Sequence, residues 1–495
     1  MDHTKRILKS GSQLFGSQIV VNLFVLMFGA FFAHKLPKEE MAIFAVTNLL
    51  TGLITVLGGL GLSMTVYKMA PELITKNEKE RAASLIKFNI FFNFMTSFIL
   101  ILLLILFLKM LSFIFLKGEE LGNYNLIIIP LVFFENISST FDTTLRSLQR
   151  FSTIAIIKII KDVVSRIISL LLFFILGFKG FLLGFIIGSF FSTVLSVYYI
   201  SDFLFLKSSV RFHWELIIYS LPFYVSGILR YILINIDQYM IGIFLEPEIL
   251  ATYFITKKLA SYLNMSIDSL MEPITPKLAE FKADSISKIK NVFPKTVRFN
   301  AYTFTPLSFG FAALSYPIIL LYGGEKYTNG ASILAILSLS MIPYSYLSLV
   351  LINTYVIGKP IEWLKINMVG GFANLILGIL MINIFKADGI ACSKFAALLI
   401  SVIYGYTLLK KLIPISFELK TVYKITFSSL VLFFFLLILQ IIYFKITIIP
   451  FYIIACSLLY MLATRKMIYN DDISLIYHIF PKKFIPVLNV LFVSK

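Results

Sequence analysis

Apolar runs of about twenty residues, separated by short charged segments, repeat along the whole chain. At about 1.5 Å per residue, one such run crosses the roughly 30 Å hydrocarbon layer of a bilayer as an α-helix. Runs of spanning length fall near 11–33, 43–67, 88–109, 125–146, 154–176, 180–201, 216–242, 249–275, 299–322, 331–356, 366–385, 389–409, 425–444 and 446–464. The pattern predicts an all-α integral membrane protein of about 14 transmembrane helices. Its expected division is an N-terminal six-helix lobe at 1–209 and a second, pseudo-symmetric six-helix lobe at 210–420. Extra helices 13 and 14 follow at 421–464, then a cytoplasmic or interfacial tail at 465–495.

The two halves share a local pattern. KLPKEEMAIFAVTNLL from Lys35 aligns with FLEPEILATYFITKKL from Phe244, matching Ala42 with Ala251, Phe44 with Tyr253 and Thr47 with Thr256. Parallel repeats of this kind are a transporter architecture, with the site between the lobes near the membrane midplane. Gly180, Gly184 and Gly188 form a small-xxx-small ridge that predicts close helix packing. Gly58, Gly59 and Gly61 either loosen their helix enough to bend or line a tight contact.

Composition narrows the class. Hydrophobic residues make up 59% of the 495, more than a soluble fold needs. The 44 lysines and arginines against 26 acids leave a net charge of +18. Their placement explains the excess, because segments on the N-terminal side of the membrane carry roughly four times as many as the other side, which puts both termini in the cytoplasm. Nucleic acid is therefore not an expected partner. The two cysteines and four scattered histidines make no metal pattern. No phosphate loop, HExxH or G-x-S-x-G motif occurs, so neither a nucleotide cofactor nor enzyme chemistry is expected.

Charges inside the runs are the candidate chemistry, since each costs roughly 2.5–3.5 kcal/mol at the bilayer centre unless it faces a cavity or a partner. Arg230 and Asp237 lie on the seventh run, and Lys257, Lys258, Asp268 and Glu272 on the eighth. The fourth and fifth runs carry Glu135, Asp142, Lys158, Lys161, Asp162 and Arg166, and the twelfth carries Lys394. Two readings stand: a polar, partly cationic pocket, or interhelical ion pairs that hold the bundle together. Arg166 has Glu135 or Asp142 as a pairing alternative, and Lys257 or Lys258 has Asp237.

Several stretches resemble one family. They are LRSLQRF from Leu145, IDQYMIGIFLEPEILATYF from Ile236, ITPKLAEF with Pro276, and GGFANLILGILMINIFKADGIACSKFAALL from Gly370. In these the chain resembles polysaccharide biosynthesis proteins of the Wzx-type O-antigen flippase group, which belong with MurJ and the MATE exporters to the MOP superfamily. The resemblance implies a flippase that moves a polyprenyl-diphosphate-linked oligosaccharide from the cytoplasmic to the outer leaflet of the plasma membrane by alternating access. A MATE-like, ion-coupled antiporter of small molecules is the alternative. On the flippase reading Arg230, Arg166, Lys257, Lys258 and Lys394 line a cationic cavity, because forked guanidinium donors suit phosphate oxygens. Asp237, Asp268, Glu272 and Asp142 are the candidates for coupling to a proton or sodium ion. Implied partners are the lipid-linked oligosaccharide, membrane lipids and a polysaccharide polymerase or ligase.

Overall fold

The computed structural model describes residues 21–118, 123–208, 214–271, 278, 286–442, 451–452, 454–455 and 458–460. Glu272, Pro276, the tail at 465–495 and most of the last expected run lie outside the described residues. Those described are helical or in short turns, with no strand among them. The chain divides into two compact units, Met1–Asn235 with Leu245–Ala251, and Ile236–Phe244 with Thr252–Lys495.

The first unit contains α1 (Val21–Lys35), α2 (Lys38–Gly58), α3 (Leu62–Thr75), α4 (Lys79–Leu116), α5 (Asn125–Ser147), α6 (Phe151–Leu176), α7 (Phe178–Tyr199), the single turn α8 (Ser201–Leu204) and the start of α9 (Trp214–Phe244). The run at 43–67 is broken between α2 and α3, where Leu60 and Gly61 have φ of 40° and 71°. Both sequence readings of the glycines hold here. The helix breaks, and a Cβ on Gly61 would lie 2.5 Å from the Ser220 carbonyl while one on Gly58 would strike Asn136. The Ser220 hydroxyl donates to the carbonyl that the break frees at Leu60, at 2.9 Å.

Burial on α4 does not sort by polarity as on a soluble helix, since polar side chains are buried beside Ile86, Phe88 and Leu104 while large apolar ones are exposed. It buries Asn89, Asn93, Ser97 and Ser112 and exposes Phe91, Phe98, Leu102, Leu106 and Phe113. Apolar side chains face outward because lipid solvates them, while polar groups need protein partners. The Asn136 amide accordingly donates to Ser97 at 2.7 Å, and Ser138 and Ser192 share a hydrogen bond of 2.7 Å. The predicted glycine ridge is the seam between α6 and α7. Cβ atoms at Gly180, Gly184 and Gly188 would fall 2.1 to 2.3 Å from Leu172, Ser169 and Ser165.

The second unit holds the end of α9, most of α10 (Pro247–Met271), α11 (Ile286–Ala313), α12 (Ser315–Gly323), α13 (Ala331–Leu339), α14 (Met341–Ile357), α15 (Pro360–Leu412) and α16 (Leu419–Ile442). In this unit one expected span is bent, and one expected break between runs is present. The expected run at 299–322 bends by 65° between α11 and α12, and the run at 331–356 passes from α13 to α14 at Ser340 with helical backbone angles. The helix α15 turns at Lys386, between the expected runs at 366–385 and 389–409, with φ and ψ of 50° and −129°. Seven described helices are long and apolar enough to cross a membrane, or eight if the bent pair is one span. This count does not establish the expected fourteen, because α15 joins two expected runs, α6 carries four charges, and the last run is mostly undescribed. The aligned repeat positions do behave alike locally. Ala42 and Ala251 are fully buried, and the Thr47 and Thr256 hydroxyls each donate to a carbonyl one turn back.

Candidate functional site

Within the first unit, α2, α5, α6 and α7 line an open polar cavity of about 470 Å³. Its charged lining is two ion pairs. Lys161 Nζ lies 2.7 Å from Glu135 Oε2, and Arg166 Nη1 lies 2.8 Å from Asp162 Oδ1 and 2.6 Å from the Asp162 carbonyl. The Ser189 hydroxyl donates to the other Glu135 oxygen, and the Arg166 guanidinium sits over the Phe185 ring at 5.9 Å. Arg166 thus pairs one turn back along its own helix, with Asp162 and not with Glu135 or Asp142. Asp142 instead accepts from Arg146 at 2.8 Å, where both side chains are exposed. A second cavity of about 260 Å³ shares Glu135, Ser139, Lys161 and Asp162 with the first and continues past Lys158 to Asp142 and Arg146.

The wall that α2 supplies went unnoticed in the sequence. Thr47, Thr51 and Thr55 recur every four residues, so they share one helix face, and all three line the larger cavity with Asn48. Each threonine hydroxyl donates to the carbonyl four residues back, at 2.7 to 2.8 Å. The spacing in VTNLLTGLIT was the available signal.

The second unit contains a different cluster. Asp237 on α9 is fully buried, with Lys257 of α10 2.8 Å from Oδ1 and Lys394 of α15 2.7 Å from Oδ2. The buried Tyr253 hydroxyl donates to Oδ2 at 2.9 Å, and the Gln238 backbone N–H donates to Oδ1 at 2.9 Å. One carboxylate therefore ties three helices through two ammonium groups. Lys257 and Lys394, expected as cavity cations, face this carboxylate because a buried ammonium needs a counter-charge. Both Asp237 oxygens are occupied, so an incoming proton or metal ion must compete with the groups that already donate to them.

The remaining candidates are dispersed. Arg230 is exposed on α9 and forms no ion pair among the described residues. Its neighbour Tyr231 donates to the Leu49 carbonyl at 2.7 Å and packs against Gly52, on the stretch of α2 that walls the larger cavity. Lys258 lies over the Phe254 ring at 5.9 Å. Asp268 is exposed and accepts from the Tyr344 hydroxyl at 3.0 Å. Glu272 lies outside the described residues. Among the described residues no group of three His, Cys, Asp or Glu is placed to hold a metal ion.

A helical chain whose apolar side chains face outward while charged side chains line its cavities is a multi-pass membrane protein. The chain belongs to the polysaccharide biosynthesis protein family, whose model matches residues 32–332. No curated protein matches it in sequence. Its fold is shared with solved transporters of the MOP superfamily. It is similar to the lipid II flippase MurJ in an inward closed conformation, with a TM-score of 0.73 at 17% identity over 94% of this chain and 99% of that one. It is also similar to an inward-facing multidrug resistance MATE family transporter of the MOP superfamily, with a TM-score of 0.69 at 12% identity over 80% and 94% of the two chains. A MOP superfamily transporter from Pyrococcus furiosus, described as having a binding pocket of reversed polarity, gives 0.58 at 12% identity over 81% and 93%.

Proposed function

We propose that this protein is a flippase that carries a polyprenyl-diphosphate-linked oligosaccharide from the cytoplasmic to the outer leaflet of the plasma membrane, with both its termini in the cytoplasm. The reading rests on one observation above others. A chain of the polysaccharide biosynthesis family holds a polar cavity of about 470 Å³, lined by four charged side chains, among apolar helices. Carrying a sugar and a diphosphate unaided through hydrocarbon would strip both of hydration, at a cost of several kcal/mol for each unsatisfied polar group. A preformed polar chamber replaces that water while the polyprenyl tail stays in lipid. Arg230 is the proposed diphosphate contact, because its guanidinium is exposed and unpaired among the described residues and lies next to the contact with the cavity wall.

The test is a strain lacking this chain, assayed for lipid-linked oligosaccharide on the inner leaflet. Deletion is expected to cause accumulation, and the wild-type chain to clear it. Arg230→Ala is expected to slow clearance roughly ten- to hundredfold at equal protein level, the worth of a charge-assisted hydrogen bond or two. Clearance by Arg230→Ala at the wild-type rate would remove this residue from the mechanism. Absence of accumulation, combined with sensitivity to cationic drugs, would favour the MATE-like antiporter.

A further inference from the structure

The larger cavity of the first unit has a donor and acceptor pattern that suits a phosphate poorly. Its two carboxylates, Glu135 and Asp162, balance Lys161 and Arg166, so the lining carries no net positive charge. On the α2 wall, the single protons of Thr51 and Thr55 are committed to backbone carbonyls, which leaves only the lone pairs of their oxygens for a ligand. The Asn48 amide likewise spends an N–H on the Phe44 carbonyl, at 2.7 Å. A diphosphate offers only acceptors and negative charge, so it would meet lone pairs on the α2 wall and would have to compete with Glu135 and Asp162 for Lys161 and Arg166. A saccharide hydroxyl both donates and accepts, which is what a wall of acceptors opposite Lys161 and Arg166 requires. The volume lies within the range of roughly 300–1,000 Å³ typical of small-molecule pockets and is ample for one or two sugar rings.

We infer that this cavity is the sugar-recognition site and that it reads the first sugars of the headgroup through the Thr51–Thr55 face, while the diphosphate is held outside it. The inference rests on the flippase reading and divides its cargo between two places. Arg230 takes the phosphates, and the charge-paired cavity takes the uncharged polyol.

Binding to the purified full chain in phosphatidylethanolamine–phosphatidylglycerol nanodiscs tests the division. The probes are undecaprenyl diphosphate without sugar, the same lipid bearing one N-acetylhexosamine, and tetraphenylphosphonium as a lipophilic cation. The variants are Thr51→Val with Thr55→Val, which keeps shape while removing both oxygens, and Glu135→Gln with Lys161→Met as a second disruption. Melting temperatures identify any variant that fails to fold, and the other variant then carries the test. Each double variant is expected to bind the sugar-bearing lipid roughly tenfold more weakly and the bare lipid within about twofold of wild type. Arg230→Ala is expected to weaken both lipids together. Equal weakening of both lipids by the cavity variants would place phosphate there and overturn the inference, and weakening of neither would also overturn it. Loss of tetraphenylphosphonium binding alone would assign the acceptors to a cationic ligand. A wild-type chain that binds neither lipid would instead defeat the flippase reading itself.

Discussion

Replacing Asp237 with alanine is expected to destabilise the second unit by about 3–5 kcal/mol, the usual cost of removing one partner from a buried ion pair. The variant leaves Lys257 and Lys394, whose side chains are mostly buried, without the fully buried carboxylate that now receives both ammonium groups at 2.7–2.8 Å. It also strands the Tyr253 hydroxyl. Thermal unfolding in detergent and the yield of folded protein measure the loss. The triple variant Asp237→Leu, Lys257→Met, Lys394→Met removes all three charges and is expected to recover most of the stability, because an apolar cluster of similar volume commonly matches a buried salt bridge. The clearance assay then separates two roles. A stable triple variant that still clears lipid-linked oligosaccharide would mark the cluster as a fastener between α9, α10 and α15. A stable but inactive one would make it part of the transport cycle. An alanine variant that melts with the wild type would contradict the buried geometry.

Gly184→Leu is the second large effect. The seam between α6 and α7 leaves no space at this position, since an added Cβ would lie 2.2 Å from the Ser169 hydroxyl oxygen and 2.3 Å from its backbone nitrogen. Overpacking of a close contact typically costs about 1–3 kcal/mol, and the upper end is expected where the obstacle is backbone. The consequence reaches the cavity, because Ser165 and Arg166 on α6 face Phe185 and Ser189 on α7 across the same seam. Gly184→Leu is therefore expected to lower the melting temperature and abolish clearance, with Gly184→Ala intermediate in both. Wild-type melting of the leucine variant would show that the two helices do not meet as closely as described.

Much of the architecture was legible in the linear pattern. Run length and net hydrophobicity implied a helical membrane protein, and three glycines at spacing four marked the α6–α7 seam before any packing was known. The glycines at 58–61 carried the break between α2 and α3. The threonine ladder at Thr47, Thr51 and Thr55 was equally visible but reads as ordinary helix content until the cavity beside it is seen. The 65° bend between α11 and α12 was not legible, because an apolar run is equally apolar whether straight or bent.

By itself the sequence determined which charges lie within apolar helices and therefore must have partners, since hydrocarbon offers them none. Which partner each charge has was a tertiary decision. Periodicity tells which residues share a helix face but not which helix that face meets. Lys394 reaches Asp237 across 157 positions of chain, and Arg166 finds Asp162 on its own helix instead of Glu135 across the bundle. Of the cationic side chains expected to line one pocket, Lys257 and Lys394 therefore join, in three dimensions, an ion cluster around Asp237 in one unit, and Arg166 a charge-balanced cavity in the other.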